Sequence, residues 1–242
     1  MGHEKALWTG ESGRPRGLTD HRTLARMIDH TMLRPQATCK DIERFCLEAV
    51  SLGVGAIAIH PAWVPLAARL LRGTGIKVGT VVGFPFGATH ASAKRAEAQA
   101  SLRAGAEELD MVMNIGALRS GLLESVLADI QDVAHIVHSS GCILKVILEN
   151  AYLSDEEKIT ACRIAKQAGA DYVKTSTGFG PSGATEADVR LMRKTVGTEL
   201  GVKAAGGIRT LSDAVRMLEA GADRLGTSAS AAILSEATRH AG

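Results

Sequence analysis

Three helix-like stretches of this chain end in the phrase A-G-A-[DE], at Ala104–Glu107, Ala168–Asp171 and Ala220–Asp223, and a short apolar run follows each at once. A looser version, L-G-V-G, stands at Leu52–Gly55 before A-I-A-I. Gly75, Gly141 and Gly201 precede I-K-V-G-T-V-V, C-I-L-K-V-I-L and V-K-A-A. The series Gly53, Gly75, Gly105, Gly141, Gly169, Gly201 and Gly221 thus recurs every 20 to 36 residues. A helix commonly ends on a left-handed glycine, because no Cβ clashes there, and a strand can begin directly afterwards. Seven such junctions predict repeated strand–helix units, and M-I-D-H-T at Met27–Thr31 supplies the first of eight strands.

The segments between read as helices. Ala37–Leu52 has apolar residues at helical spacing, with Thr38 as N-cap and Asp41 three residues on. Ala151–Ala168 opens on Ser154 followed by Asp155, Glu156 and Glu157, a cap and first-turn acids. Thr185–Thr195 and Thr210–Ala220 look similar. Eight alternating units in 242 residues predict an α/β fold, a single (β/α)₈ TIM barrel over residues 20–242 behind an N-terminal extension over residues 1–19. An open doubly wound sheet satisfies the same alternation, since alternation does not show closure.

Composition narrows the function classes. A net charge of +2 leaves no basic stripe, so no nucleic-acid partner is expected. No apolar run reaches membrane-spanning length, and the first residues carry charges where a secretory signal would be apolar, so a cytoplasmic location is expected. Cys39, Cys46, Cys142 and Cys162 form no C-x-x-C pair and are expected as buried, reduced thiols. A catalytic thiol would need an electropositive setting. The eight histidines show no metal-ligand spacing, so no metal is expected, and His30 and His60 are read as satisfied polar groups.

Strands buried on both faces should be continuous apolar runs, and a buried charge is costly unless paired or used. Five strands break that rule, with Asp29, Asp110, Lys145, Lys174 and Lys203. By alternation, Asp110, Val112 and Asn114 share a face, as do Lys145, Ile147 and Glu149. A structural ion-pair cluster would explain one buried lysine, but three lysines with two aspartates form a candidate site. A lysine attacks a carbonyl only as the neutral amine, and burial and a neighbouring cation both favour that form. A carboxylate alongside can shuttle protons. This is equipment for iminium and enamine chemistry without metal or cofactor, although the residues alone do not choose among Lys145, Lys174 and Lys203 as nucleophile.

Glycines also follow the late strands. A-A-G-G-I-R spans Ala204–Arg209, L-G-T-S-A-S spans Leu225–Ser230, and Gly178 lies in S-T-G-F-G-P-S-G. Ordinary turns would explain each alone. Their placement after consecutive late strands of a barrel predicts a phosphate site.

The phrases I-D-H-T (28–31), G-F-P-F-G (83–87), E-L-D-M-V-M-N (108–114), Y-V-K-T-S-T-G-F (172–179), V-K-A-A-G-G-I-R (202–209) and L-G-T-S (225–228) run in order over nearly the whole chain. In them the chain resembles the deoxyribose-phosphate aldolase family. The resemblance implies a lyase of deoxyribonucleotide catabolism that reversibly cleaves 2-deoxyribose 5-phosphate to acetaldehyde and glyceraldehyde 3-phosphate through a Schiff base. It implies Lys174 as the Schiff-base lysine, Lys203 as the second lysine that makes it a better nucleophile, Asp110 as the proton-relay carboxylate and Asp29 beside Lys203 and a substrate hydroxyl. It matches Gly178, Gly206, Gly207, Gly226 and Ser228 to phosphate-binding positions. Partners are then small sugar phosphates and aldehydes, with a homodimer expected. Another class I aldolase on a different sugar phosphate, or a silent barrel that binds a phosphorylated metabolite, are the competing functions.

Two departures from the family pattern carry expectations. Some members use a C-terminal tyrosine in proton transfer, whereas the tyrosines here are Tyr152 and Tyr172 and the sequence ends T-R-H-A-G. Proton transfer at the enamine carbon is then expected to use Asp110 with water. Some members carry an aldehyde-trapping cysteine in the second strand, where A-I-A-I-H-P has Ala58 and His60, so better tolerance of acetaldehyde is expected.

Overall fold

In the computed structural model, which describes residues 20–240, eight parallel strands close into a barrel in chain order. The strands are β1 (Ile28–Met32), β2 (Ala56–Ile59), β3 (Lys77–Val82), β4 (Glu108–Val112), β5 (Ile143–Ile147), β6 (Tyr172–Lys174), β7 (Gly201–Ala205) and β8 (Arg224–Thr227). Closure removes both sheet edges, which settles the choice against an open sheet. The extension expected over residues 1–19 lies outside the described residues. No helix among the described residues is long and apolar enough to cross a membrane.

A short helix, α1 (His21–Arg26), precedes β1, and α2 (Cys39–Leu52), α3 (Val64–Leu70) and α4 (Ala91–Arg103) follow β1, β2 and β3. Two helices, α5 (Ile115–Arg119) and α6 (Leu123–Ser139), separate β4 from β5, which explains the longest glycine interval. Then come α7 (Asp155–Gln167), α8 (Glu186–Val196), α9 (Leu211–Glu219) and α10 (Ser230–His240). Thr38 and Asp41 form a reciprocal capping box on α2, as Ser154 and Glu157 do on α7 and Thr210 and Asp213 on α9. Each such cap satisfies otherwise orphaned N–H groups at a helix start. The segment from Ala151 does not begin as a helix, because a single 3-10 turn at Asn150–Tyr152 comes first.

Six of the seven series glycines are left-handed, as the repeat predicts. Gly201 is not. The left-handed residue before β7 is Gly197, which caps α8 at φ 63°. Gly201 serves space instead: a Cβ there would lie 2.1 Å from the Tyr172 ring.

Strand alternation sorts the side chains. Leu109, Met111, Leu144, Val146, Val173, Val202 and Leu225 point outward into the helix layer, and all are buried. Each large one contributes roughly 1.5–3 kcal/mol by leaving water. The inward positions differ in kind. Past Lys77 at the exposed start of β3, those on β2 and β3 are Ala56, Ala58, Gly79 and Val81, small and uncharged, while β1 and β4 to β8 carry the charged residues of the interior. Outside the barrel, the buried Lys94 of α4 donates to Asp129 of α6 at 2.6 Å and to the Val112 carbonyl at 3.0 Å.

The cysteines depart from expectation. All four are free, but only Cys46 and Cys162 are buried; Cys39 is exposed on the first turn of α2 and Cys142 is half-buried before β5. Cys39 lies off the buried face of α2, whereas Cys142 packs against the margin of the core.

Candidate active site

Register brings the charges together. Lys174, the last residue of β6, is paired with Lys203 on β7 and with Ile147 on β5. Asp110 on β4 is paired with Lys145 on β5. All point into the barrel, where Asp110 stands between the three lysines. Its Oδ2 accepts from Lys174 Nζ at 2.8 Å and from Lys203 Nζ at 2.7 Å, and its Oδ1 accepts from Lys145 Nζ at 3.0 Å. Lys203 Nζ also donates to Asp29 Oδ2 at 2.5 Å. Lys203 is wholly buried and Lys174 is 3% exposed.

The room for this packing is local. Gly226, on β8 next to Lys203, could not carry a Cβ without meeting Lys203 Cε at 3.1 Å and Ala205 Cβ at 3.0 Å. Gly226 therefore admits the lysine stem as well as lining the cavity above it.

Electrostatics separates the lysines. Burial pushes the Lys174 ammonium down to about 8, with Lys203 and Lys145 acting the same way against Asp110. Burial would lower Lys145 too, but Asp110, Glu108 and Asp29 surround it and raise it above the ordinary lysine value. Burial would raise Asp110, yet Lys145, Lys174 and Lys203 hold it well below the usual carboxylate range. Asp29 is likewise lowered, since Arg224, Lys203 and Lys145 outweigh its burial. Lys174 thus moves toward the free amine and Lys145 away from it.

Lys174 forms the floor of a cavity of about 570 Å³ at the C-terminal ends of the strands. Gly178, Gly206, Gly207, Gly226 and Ser228 line its wall. Gly178, Gly206 and Gly207 have φ of 86°, 88° and 80°, turns that side-chain-bearing residues rarely make. Ser228 stands just before α10, whose N-terminus adds a positive potential. Phe179 lines the cavity and meets Phe84 edge-on at 5.3 Å.

The sequence model of DeoC/LacD family aldolases matches residues 18–236. The chain belongs to this family. It is 52% identical over 213 residues to a deoxyribose-phosphate aldolase of Carboxydothermus hydrogenoformans, covering 87% of this chain and 93% of the relative. It is 54% identical over 215 residues to one of Aciduliprofundum boonei, covering 89% and 97%. A solved deoxyribose phosphate aldolase of Aeropyrum pernix, a tetramer, superposes with a TM-score of 0.82 at 36% identity, covering 88% of this chain and 89% of that one.

For this DeoC/LacD aldolase, all four acid and lysine residues expected by resemblance stand in one hydrogen-bonded group, and all five phosphate-matched residues line one cavity. Two residues expected on the same faces do not join them. Asn114 lies past β4 and caps α5, its Oδ1 accepting from Ala117 N at 3.0 Å. Glu149 lies past β5 in a left-handed conformation and accepts from the Thr177 hydroxyl and, at 3.2 Å, from Thr177 N. His30 is only half satisfied: Nδ1 pairs with Ser230 Oγ at 2.8 Å, while the buried Nε2 has no hydrogen-bond partner and lies 3.9 Å from Glu48 Oε2. His60 Nε2 pairs with the Leu33 carbonyl at 2.9 Å.

Sequence reasoning missed two members of the cluster. Glu108 Oε2 lies 2.5 Å from Lys145 Nζ, and Arg224 Nη2 lies 3.0 Å from Glu108 Oε2 and 2.6 Å from Asp29 Oδ1. The same alternation that placed Asp110 and Gly226 inward would have placed Glu108 and Arg224 there, two residues earlier on their strands.

Proposed function

We propose that the protein reversibly cleaves 2-deoxyribose 5-phosphate to acetaldehyde and glyceraldehyde 3-phosphate through an imine on Lys174. The observation that carries the reading is a buried lysine with an amine value near 8, at the floor of a glycine-walled cavity in a family of aldolases. The free amine adds to the C1 aldehyde, and loss of water gives the iminium. The C3 hydroxyl then gives up its proton, its electrons form the new C3 carbonyl, and the C2–C3 pair moves to the iminium to leave an enamine. Protonation of C2 and hydrolysis release acetaldehyde and restore Lys174.

Asp110 and Lys203 share one hydrogen bond beside the nucleophile. That pairing supports a proton relay in which Asp110, kept ionised, accepts through water and Lys203 donates. Asp29 holds Lys203 from the far side, and the family pattern assigns it to the neighbourhood of a substrate hydroxyl. The turns at Gly178, Gly206 and Gly207, with Ser228 and Gly226, support phosphate binding by backbone amides. The exposed Leu47 and Val50 of α2 support association into a homodimer, and the four free thiols support a reducing, cytoplasmic setting.

The test is to incubate with acetaldehyde or 2-deoxyribose 5-phosphate, reduce with borohydride, and map the adduct by mass spectrometry. An adduct on Lys174 is expected. One on Lys203 or Lys145 overturns the assignment of the nucleophile. Turnover of other sugar phosphates with none of the deoxypentose overturns the substrate.

A further inference from the structure

Barrels of this kind are ordinarily filled by branched apolar side chains. Here the interior carries three carboxylates, Asp29, Glu108 and Asp110, all buried. It also carries four basic side chains, Lys145, Lys174, Lys203 and Arg224, each bonded to at least one of those carboxylates. With Lys174 as free amine the charges cancel. With Lys174 protonated, one positive charge is left over among buried side chains, where it is costly.

Of the seven groups only Lys174 lines the cavity. Glu108 stands two residues before Asp110 on β4 and Arg224 two residues before Gly226 on β8, both toward the N-terminal end of the barrel. They are tied to the amine through others. Glu108 bonds Lys145, Lys145 bonds Asp110 Oδ1, and Asp110 Oδ2 bonds Lys174. Arg224 bonds Asp29, Asp29 bonds Lys203, and Lys203 bonds the same Oδ2 of Asp110. Both chains of contacts converge on one carboxylate.

We propose that Glu108 and Arg224 are positioning residues of the reaction: together they set the charge sum of the barrel interior, and through it the pH at which Lys174 becomes a nucleophile. The inference rests on Lys174 being the imine-forming residue. No other wall disturbs the balance. Past Lys77 at the start of β3, the inward residues of β2 and β3 are Ala56, Ala58, Gly79 and Val81. Tyr172 of β6 faces Arg224 and Glu108 as a phenol that burial pushes further from ionisation. Glu149, past β5, is committed to Thr177. Lys77, exposed at the start of β3, has its charge matched by Glu107 at 2.6 Å, and Cys142, just ahead of β5, is a thiol raised by burial.

The proposal predicts opposite effects from two single substitutions. A unit charge roughly 10 Å away, screened by an effective dielectric of about 20, moves a titration midpoint by about one pH unit. Glu108→Gln should lower the midpoint of Lys174, so that trapping at pH 7 is about 5-fold faster. Arg224→Met should raise it, so that trapping at pH 7 is about 10-fold slower and recovers at higher pH. Neither change orphans a charge, since Lys145 keeps Asp110 and Asp29, and Asp29 keeps Lys203.

The experiment measures the initial rate of cyanoborohydride-trapped acetaldehyde adduct at Lys174 from pH 6 to 10, by peptide mass. Midpoints that move apart, with Glu108→Asp and Arg224→Lys returning to the parent value, support the proposal. Midpoints that stay put or move together overturn it. Should a single variant not fold, the double variant E108Q/R224M preserves the charge sum and must titrate like the parent; a displaced midpoint there overturns the idea equally. Absence of any Lys174 adduct in the parent protein refutes the imine reading itself, whereas an adduct with unmoved midpoints refutes only the role of Glu108 and Arg224.

Discussion

Replacing Lys174 with methionine should abolish imine formation and, at the same time, stabilise the fold. Burial holds the Lys174 ammonium at about 8 against an ordinary 10.5. Between those values the unfolded chain keeps a proton that the folded chain has released, so stability rises with pH across that window. Below pH 8 the folded protein bears the whole penalty. A difference of about 2.5 pH units corresponds to about 3 kcal/mol. Methionine has similar length, no charge and no proton, and Asp110 keeps Lys145 and Lys203 as partners. Urea unfolding at pH 7 should therefore show K174M more stable than the parent by about 3 kcal/mol, a rise in Tm of roughly 6–12 °C for a domain of this size. At pH 10.5 the two proteins should unfold alike. A variant no more stable at pH 7, or an advantage that does not shrink as pH rises, would falsify the view that the amine is held neutral at the expense of stability.

Four further outcomes follow from the same geometry. Lys203→Met removes the cation that shares Asp110 Oδ2 with Lys174; at roughly 5 Å and an effective dielectric of about 20 that charge is worth about 2 pH units, so adduct formation at pH 7 should fall about 100-fold and return near pH 10. Ser228→Asp puts a carboxylate beside the phosphate wall and should raise KM for 2-deoxyribose 5-phosphate by at least about 10-fold, while trapping of acetaldehyde, which has no phosphate, proceeds at the parent rate; equal loss of both would remove Ser228 from that wall. Gly201→Ala sets a Cβ 2.1 Å from the Tyr172 ring and should cost about 1–3 kcal/mol by overpacking, read as a lower urea midpoint; Gly201→Ala with Tyr172→Leu should recover part of it. In acetaldehyde at high concentration the protein should keep its activity, because Ala58 occupies the inward position on β2; rapid loss with a crotonaldehyde adduct mapped to Cys39, Cys46, Cys142 or Cys162 would refute this.

The alternating units, their order and the caps of α2, α7, α8 and α9 were legible in the sequence, because they rest on local physics. A glycine at Gly105 or Gly169 ends a helix by its own backbone freedom, and Thr38 caps α2 with an acceptor three residues from its target. The shared faces of Asp110 with Val112 and of Lys145 with Ile147 were legible too, since alternation needs no partner strand, but it fails at Asn114 and Glu149, which lie past the strand ends. What decided the chemistry was barrel closure. Closure and register place Asp110 against lysines 35, 64 and 93 residues away, and Arg224 against Asp29 at 195 residues' separation. Only that packing removes water, lowers one lysine and raises another. Position along the chain gives Lys145 and Lys174 equal standing; three carboxylates around the first and one beside the second, in a cavity open above it, make the difference. Gly201 shows the converse, a glycine read as a helix end whose reason is the ring of Tyr172 on the neighbouring strand, a contact that exists only once β6 and β7 lie side by side.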